Sequence, residues 1–189
     1  MVGSTPTSFV LVLLKEFVQD LRVAKTINQL ALSTGKAYPN THATTNTLLA
    51  EGILTKEVIG HSHRCKLNLQ NDKTLIYLSL LETIKRDELL QNNTCARELL
   101  KKIDKQSAQH GILLAWLKKE TLLLVTTHQQ QTNSLFGMPT TTLSLQEFLH
   151  NKELCATIAG TATLLFGHAL YVGLLKENSK KTTVPEVFS

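Results

Sequence analysis

Apolar residues recur early in the chain at intervals of three and four, the spacing that lines one face of an α-helix. Between Ser8 and Asp20, Phe9, Leu13 and Phe17, with Val10 and Leu14 beside them, form one such stripe, and Thr7 or Ser8 can cap it. Leu21-Arg22-Val23 is short enough for a small strand. A second helix is predicted over Lys25 to Thr34, with Ile27, Leu30 and Ala31 inward and Thr26 with Gln29 as a capping box. Gly35 ends it at a position that favours a left-handed backbone. Pro39 suits the first turn of a third helix, where its missing N–H costs nothing. That helix is predicted from Tyr38 or Pro39 to Glu51, closed by Gly52, with Ala43, Thr47, Leu48 and Tyr38 on its inner face.

The period then changes. Cys65, Leu67 and Leu69 alternate with Lys66 and Asn68, as in a half-buried strand. Ile53 to Ile59 and Arg64 to Leu69 read as the arms of a β-hairpin with its tip at Gly60 to His63. Asn71 and Asp72 can start a fourth helix, Lys73 to Leu90, striped by Leu75, Leu78, Leu81, Ile84 and Leu89. Asn92-Asn93-Thr94 marks a break. A helix from Thr94 to Ser107 follows, with Leu99, Leu100 and Ile103 inward.

Beyond it the pattern alternates between strand and helix. Gly111 to Leu117 and Thr121 to Thr127 read as strands joined by Lys118-Lys119-Glu120. The polar run His128 to Ser134 reads as a loop, and Thr140 to Leu143 as a third strand. Ser144 with Glu147 is a capping box for a helix through His150. Ala156 to Leu175, an apolar stretch of 20 residues, is long enough to span a bilayer. Its glycines, its threonines and His168 weaken insertion, so it reads as a strand, a turn near Gly167 and a helix. Residues 178–189 read as a polar, frayed tail.

These elements predict an α+β protein: residues 1–70 an N-terminal winged helix-turn-helix, 71–106 linker helices, and 107–189 a small α/β domain. Composition sharpens this only a little. The chain has 189 residues, 42% apolar, enough for a buried core. A net charge of +5 weakly favours an anionic partner. The 3 cysteines stand far apart with no CxxC pair, which argues against a disulfide framework and fits a reducing cytoplasm. Phe9 to Leu14 is too short, and lacks the flanks, for a signal peptide. No membrane partner is expected.

Two short helices followed by a hairpin are the order of a winged helix-turn-helix. The segment TINQLALSTGKAYPNTHATTNTLLAEGIL resembles the paired helices of prokaryotic, especially archaeal, winged-helix transcription regulators. Leu30-Ala31, Gly35, Tyr38-Pro39, Leu48-Leu49 and Glu51-Gly52-Ile53-Leu54 carry the resemblance, which covers Ser8 to Leu69. It implies double-stranded DNA as partner. A helix in the major groove reads base edges with its outward, N-terminal side chains. Asn40, Thr41, Thr44 and Thr45, with His42, are the expected outward positions, and Tyr38 stands at the start of that helix. Lys36 would lie near phosphate. Lys25 and Thr26 would clamp the backbone, and His61, His63, Arg64 and Lys66 of the wing would reach phosphate or the minor groove. Few basic residues stand on the third helix, so affinity would draw on the wing, the flanking lysines and a homodimer. The expected role is a sequence-specific transcription regulator in the cytoplasm, at the nucleoid, without a cofactor.

Two other readings use the same residues. His61, His63 and Cys65 are spaced i, i+2, i+4, so one strand face would present all three, and imidazole and thiolate are good zinc or copper ligands. A metal-responsive repressor would follow, although no fourth ligand stands nearby. The hydroxyl-rich third helix would also suit a protein–protein interaction module.

The second half resembles a degenerate nucleotidyltransferase-like domain. Gly111 to Leu114 and Leu122 to Val125 resemble its first strands, Ser144 to Leu149 its helix start, and Leu164 to Tyr171 its last strand and helix. The catalytic parts are missing. Ala115 to Lys119 stands where that family has a Gly–Ser loop, and Glu120 is the only acid where it has paired aspartates. Two-metal phosphoryl transfer needs clustered carboxylates. The resemblance therefore implies no enzyme but a domain for dimerisation, sensing or partner binding.

Overall fold

A computed structural model describes residues 8–59, 62–127, 136–151, 158 and 161–180. In chain order the elements are α1 (Ser8–Val18), α2 (Ile27–Thr34), α3 (Tyr38–Ala50), β1 (Leu54–Ile59), β2 (Ser62–Leu67), α4 (Asp72–Asn92), α5 (Thr94–His110), β3 (Ile112–Lys118), β4 (Thr121–Thr126), β5 (Thr140–Ser144), α6 (Leu145–His150), β6 (Thr163–Phe166) and α7 (His168–Lys180). The class is α+β, as the hydrophobic pattern predicts. The expected loop at His128 to Ser134 lies outside the described residues, as do parts of the stretch Ala156 to Leu175. Among the described residues no helix is long and apolar enough to cross a membrane.

The chain forms two compact units that part between Leu81 and Glu82, inside α4. This differs from the expected division into 1–70, a linker of 71–106, and 107–189. Leu75, Leu78 and Leu81 are buried in the first unit. In the second, α5 buries Ala96, Leu99 and Ile103 in the core cluster, so it is part of that core rather than a linker.

In the first unit, α1 packs on α2, α2 on α3, and α3 on β1. Leu13, Leu14, Phe17, Leu30, Leu48, Ile53 and Leu54 form its core, each at most 2% exposed. The helix ends follow local chemistry. Thr26 Oγ1 accepts from the Gln29 amide, and Gln29 Oε1 accepts from the Thr26 amide, so both orphan donors of α2 are satisfied. Gly35 takes the left-handed conformation, φ +63°, that ends the helix. The expected strand at Leu21-Arg22-Val23 is instead a turn, closed by the Val23 amide on the Asp20 carbonyl and by the Arg22–Asp20 ion pair. The extended pairing falls at Lys25, which bridges to Cys65. Side chains from beyond the hairpin tie off α3: Asn71 Nδ2 donates to the Glu51 carbonyl, Asn68 Nδ2 to Gly52, and the Thr74 hydroxyl to Ile53. These carbonyls lack intrahelical partners, so the donors replace water there.

The second unit holds a mixed sheet in the order β5-β4-β3-β6. β3 is antiparallel to β4 and β6, and β4 is parallel to β5. β3, ILLAWLK, is buried on both faces, which is why it reads as a continuous apolar run. A register shift between Ile112 and Leu114 puts Ile112, Ala115 and Leu117 on one face, in the core cluster with α5. On the other face, Trp116 packs between Phe148 of α6 and Tyr171 of α7, with ring centroids 5.4 and 5.3 Å away. Such aromatic pairs contribute about 0.5–1.5 kcal/mol each beyond their area. Gly167, φ +87°, joins β6 to α7 where any Cβ would collide with the Leu113 carbonyl, so no other residue fits.

Glu82 is a polar exception in this unit. It is 3% exposed, and neither carboxylate oxygen meets a partner at hydrogen-bonding geometry. Burial pushes its carboxyl up, and the nearby Lys85 charge and Leu164 amide offset this only in part. A carboxyl with a raised folded pKa binds protons in the native state that the unfolded chain has released. Its contribution is therefore full below the ordinary carboxylate range and is lost as pH rises through the folded pKa. Glu82→Gln is expected to be more stable than wild type at pH 8 and to match it near pH 4. Thermal melts of both chains across that range would check this.

Candidate nucleic-acid interface

α3 is rotated relative to the sequence expectation. Its buried residues are Thr41, Thr45 and Leu48, at i, i+4 and i+7. Thr41 and Thr45 are 0% exposed and cannot read a base, which corrects their expected outward role. Ala43, Thr47 and Tyr38, expected inward, are exposed. A threonine has an apolar methyl, and its hydroxyl can bond its own helix. Thr41 does this, donating to the Ala37 carbonyl at 3.2 Å. The Thr45 hydroxyl is buried without a partner.

Of the other expected contacts on α3, Asn40 and His42 are exposed and Thr44 is half-buried. Tyr38 stacks on His42, ring centroids 5.8 Å apart. Asn46, missed in the sequence reading, is exposed and pairs with His42, Asn46 Nδ2 to His42 Nδ1 at 3.3 Å. Pro39, Ala43, Asn46 and Ala50 share the face opposite Thr41 and Leu48. Helix α3 carries no charged side chain, and Lys36 is exposed just before it.

The expected phosphate clamp at the start of α2 is committed elsewhere. The Lys25 ammonium is half-buried and pairs with Glu16 at 3.0 Å. Burial pushes the Glu16 carboxyl up, but hydrogen bonds from Ser33 and Lys25, with the Lys25 charge, more than offset this and hold it below the usual range. The Lys25 backbone exchanges two hydrogen bonds with Cys65, 2.9 and 2.8 Å. The Thr26 hydroxyl is the cap of α2. The Lys25 ammonium is thus engaged within the fold, while the Thr26 hydroxyl oxygen accepts in the cap.

The hairpin separates its polar groups by face. Register pairs Leu54 with Leu67, Lys56 with Cys65 and Val58 with His63, and these alternate with Thr55–Lys66 and Glu57–Arg64. Leu54, Cys65 and Leu67 bury the base of the first face, which is exposed further out at Lys56, Val58 and His63. The second face carries Arg64 and Lys66, with Glu57 between them. Lys66 pairs with Glu57 at 3.3 Å, and the half-buried Arg64 keeps its Nε without a hydrogen-bond partner. Lys56 and Glu57 were not singled out from the sequence. The alternation of the first arm carries the signal, since pairing Leu54 with Leu67 puts Glu57 beside Arg64.

His61, expected at the wing tip, lies outside the described residues. His63 and Cys65 share a strand face, but Cys65 is 3% exposed, and burial pushes its thiol up, with the Lys56 charge offsetting only part. That opposes the thiolate a metal needs. Among the described residues no three metal-ligating groups cluster. In the second unit β3 runs through Leu117 into a tight turn at Lys119, φ +54°, and pairs onward with β4 at Lys118–Thr121. Ala115 to Lys119 therefore forms strand and turn, with no room for a phosphate-holding loop. Glu120 is exposed in that turn.

Comparison of the chain with protein-family models, with curated proteins and with solved structures returns no match.

Thr45→Val keeps the shape of an inward threonine and removes its unpartnered hydroxyl. It is expected to stabilise the chain by about 1 kcal/mol in urea unfolding and to leave the exposed face of α3 unchanged. Destabilisation of that size would indicate that the hydroxyl has a partner.

Proposed function

We propose that the first unit binds double-stranded DNA, with α3 in the major groove and the β1–β2 hairpin as its wing, and that the chain regulates transcription as a homodimer in the cytoplasm, at the nucleoid. The observation that carries this reading is an exposed face on α3 that bears no charge, on a helix preceded in the chain by Lys36 and followed by a hairpin with Arg64 and Lys66 on one face. Lys36 precedes α3, and Arg64 and Lys66 stand on the wing, while α3 itself has no carboxylate to repel phosphate. The second unit is read as carrying no nucleotidyl transfer, a reading supported by the tight β3–β4 turn in place of a phosphate loop and by the lack of an acid in Leu122 to Val125. Support for a second copy comes from α4, where Ile76 is 67% and Leu80 36% exposed one turn apart.

A second reading, a protein-binding module, is favoured by Leu32 on α2 and Val58 on the wing, 75% and 63% exposed. Salt separates the two, because phosphate contacts weaken steeply with ionic strength and apolar ones do not.

The purified chain is expected to retain sheared genomic DNA at low salt, release it as salt rises, and enrich a motif in what it retains. Arg64→Ala should weaken binding to all sequences and flatten the salt slope by about one unit. Glu57→Gln, which removes the acid from the basic wing face, should strengthen binding to random and specific DNA alike. Loss of affinity in Glu57→Gln would contradict the wing assignment. Ile76→Asp should convert a dimer to a monomer in light scattering, and wild type monomeric at micromolar concentration would remove the dimer from the reading.

A further inference from the structure

The exposed line of α3 consists of Pro39, Ala43, Asn46 and Ala50, at i, i+4, i+7 and i+11. Only Asn46 in that line has a side chain able to form hydrogen bonds. Ala43 and Ala50, one turn to either side, are too small to hold a partner surface away from it. The neighbouring Thr47 hydroxyl is spent on the Ala43 carbonyl at 3.1 Å.

Asn46 is also oriented by a neighbour on its own helix. Its Nδ2 donates to His42 Nδ1 at 3.3 Å, and Tyr38 stacks on the other side of the His42 ring. Tyr38, His42 and Asn46 are each one turn apart, so the imidazole stands between a ring that limits its tilt and an amide that uses its acceptor nitrogen. With Nδ1 accepting, the ring proton is on Nε2 and points away from the pair. The amide keeps one Nδ2 proton and the Oδ1 acceptor free, side by side. A donor beside an acceptor at that spacing matches the major-groove edge of adenine, whose N7 accepts and whose N6 amino group donates. Guanine presents two acceptors there and cannot satisfy Oδ1.

We propose that Asn46, positioned by His42, is the base-reading residue of α3 and selects adenine in the major groove of duplex DNA. This rests on the DNA-binding reading above and names the base that reading leaves open. The uncharged helix admits the groove, Lys36 at its start is set for the flanking phosphates, and the alanines beside Asn46 allow close approach. His42 does not need to touch the base; it acts through the amide.

The test uses the full chain and duplexes chosen from a random pool by repeated binding. Wild type is expected to return a motif with a fixed adenine. Replacing that adenine with 7-deazaadenine, which lacks N7, should weaken wild-type binding about 10- to 100-fold and leave Asn46→Ala unaffected. In Asn46→Ala the motif should relax at that one position and stay intact elsewhere. His42→Phe keeps a ring for Tyr38 to stack on but removes Nδ1. It should lower the ratio of affinity for the adenine motif to affinity for the same duplex with that base pair changed. A merely structural role for His42 would change both together. Circular dichroism and melting temperature establish that each variant folds. If wild type selects a motif but Asn46→Ala keeps the same adenine preference, or no position fixes adenine, the Asn46 assignment is overturned and DNA binding stands. If wild type binds no duplex at low salt, both fall.

Discussion

Two backbone hydrogen bonds, between Lys25 and Cys65, decide how the first unit is put together. They fasten the residue before the cap of α2 to the middle of β2, so the hairpin must break both bonds to swing away from the helices. The same segment spends its charge inward. Lys25 pairs with Glu16 of α1 in a half-buried site, which links α1, the start of α2 and the wing through one residue. At the far end of α3, Asn68, Asn71 and Thr74 donate to carbonyls from Glu51 to Ile53. The helix is therefore held at its exit by the chain that follows the wing. The faces of α3 and of the hairpin are set by these polar ties as much as by the apolar core beneath them.

In the second unit the corresponding constraint is the double burial of β3. A strand that must be apolar on both faces can lie only in the middle of a sheet with helices on either side. The bulge near Ile112 matters because a strand that keeps strict alternation would turn Ile112 away from the α5 face. Trp116 then fills the opposite face with Phe148 and Tyr171. Removing a side chain of that size from such a site costs about 3–5 kcal/mol.

Elements with chemical punctuation were legible in the sequence. Thr26 with Gln29, Gly35, Ser144 with Glu147, and Gly167 each announce an end that the structure places within a residue or two. The β1–β2 hairpin was legible from alternation. The rotation of α3 was not, because its segment YPNTHATTNT has threonines that spread from its buried side round to its exposed side, and threonine is content either buried or wet. Only Leu48 distinguishes the faces, and counting back from it by three and four gives Thr45 and Thr41. The Lys25 bridge and the pairing of β6 with β3 join residues distant in sequence, which leaves no local trace. The division inside α4 is likewise silent, since one unbroken helix serves both units. Of the side chains read as DNA contacts, Lys36, Asn40, His42, His63, Arg64 and Lys66 are exposed or half-exposed. The Lys25 ammonium is paired with Glu16, a neighbour that only folding brings close, whereas the cap role of Thr26 was legible from Gln29 three residues on.

The bridge at Cys65 gives the molecule a built-in clock. The thiol lies on the buried face of β2, 3% exposed and pushed up in pKa by burial, so it is a poor nucleophile while the hairpin stays closed. Cys95 is exposed on α5 and reacts from the folded state. An alkylating reagent therefore labels Cys95 at a rate set by chemistry and Cys65 at that rate scaled by the fraction of time the hairpin is open. When closing outpaces alkylation, the ratio of the two labelling rates reads the open population of the hairpin, without a ligand and without altering a residue.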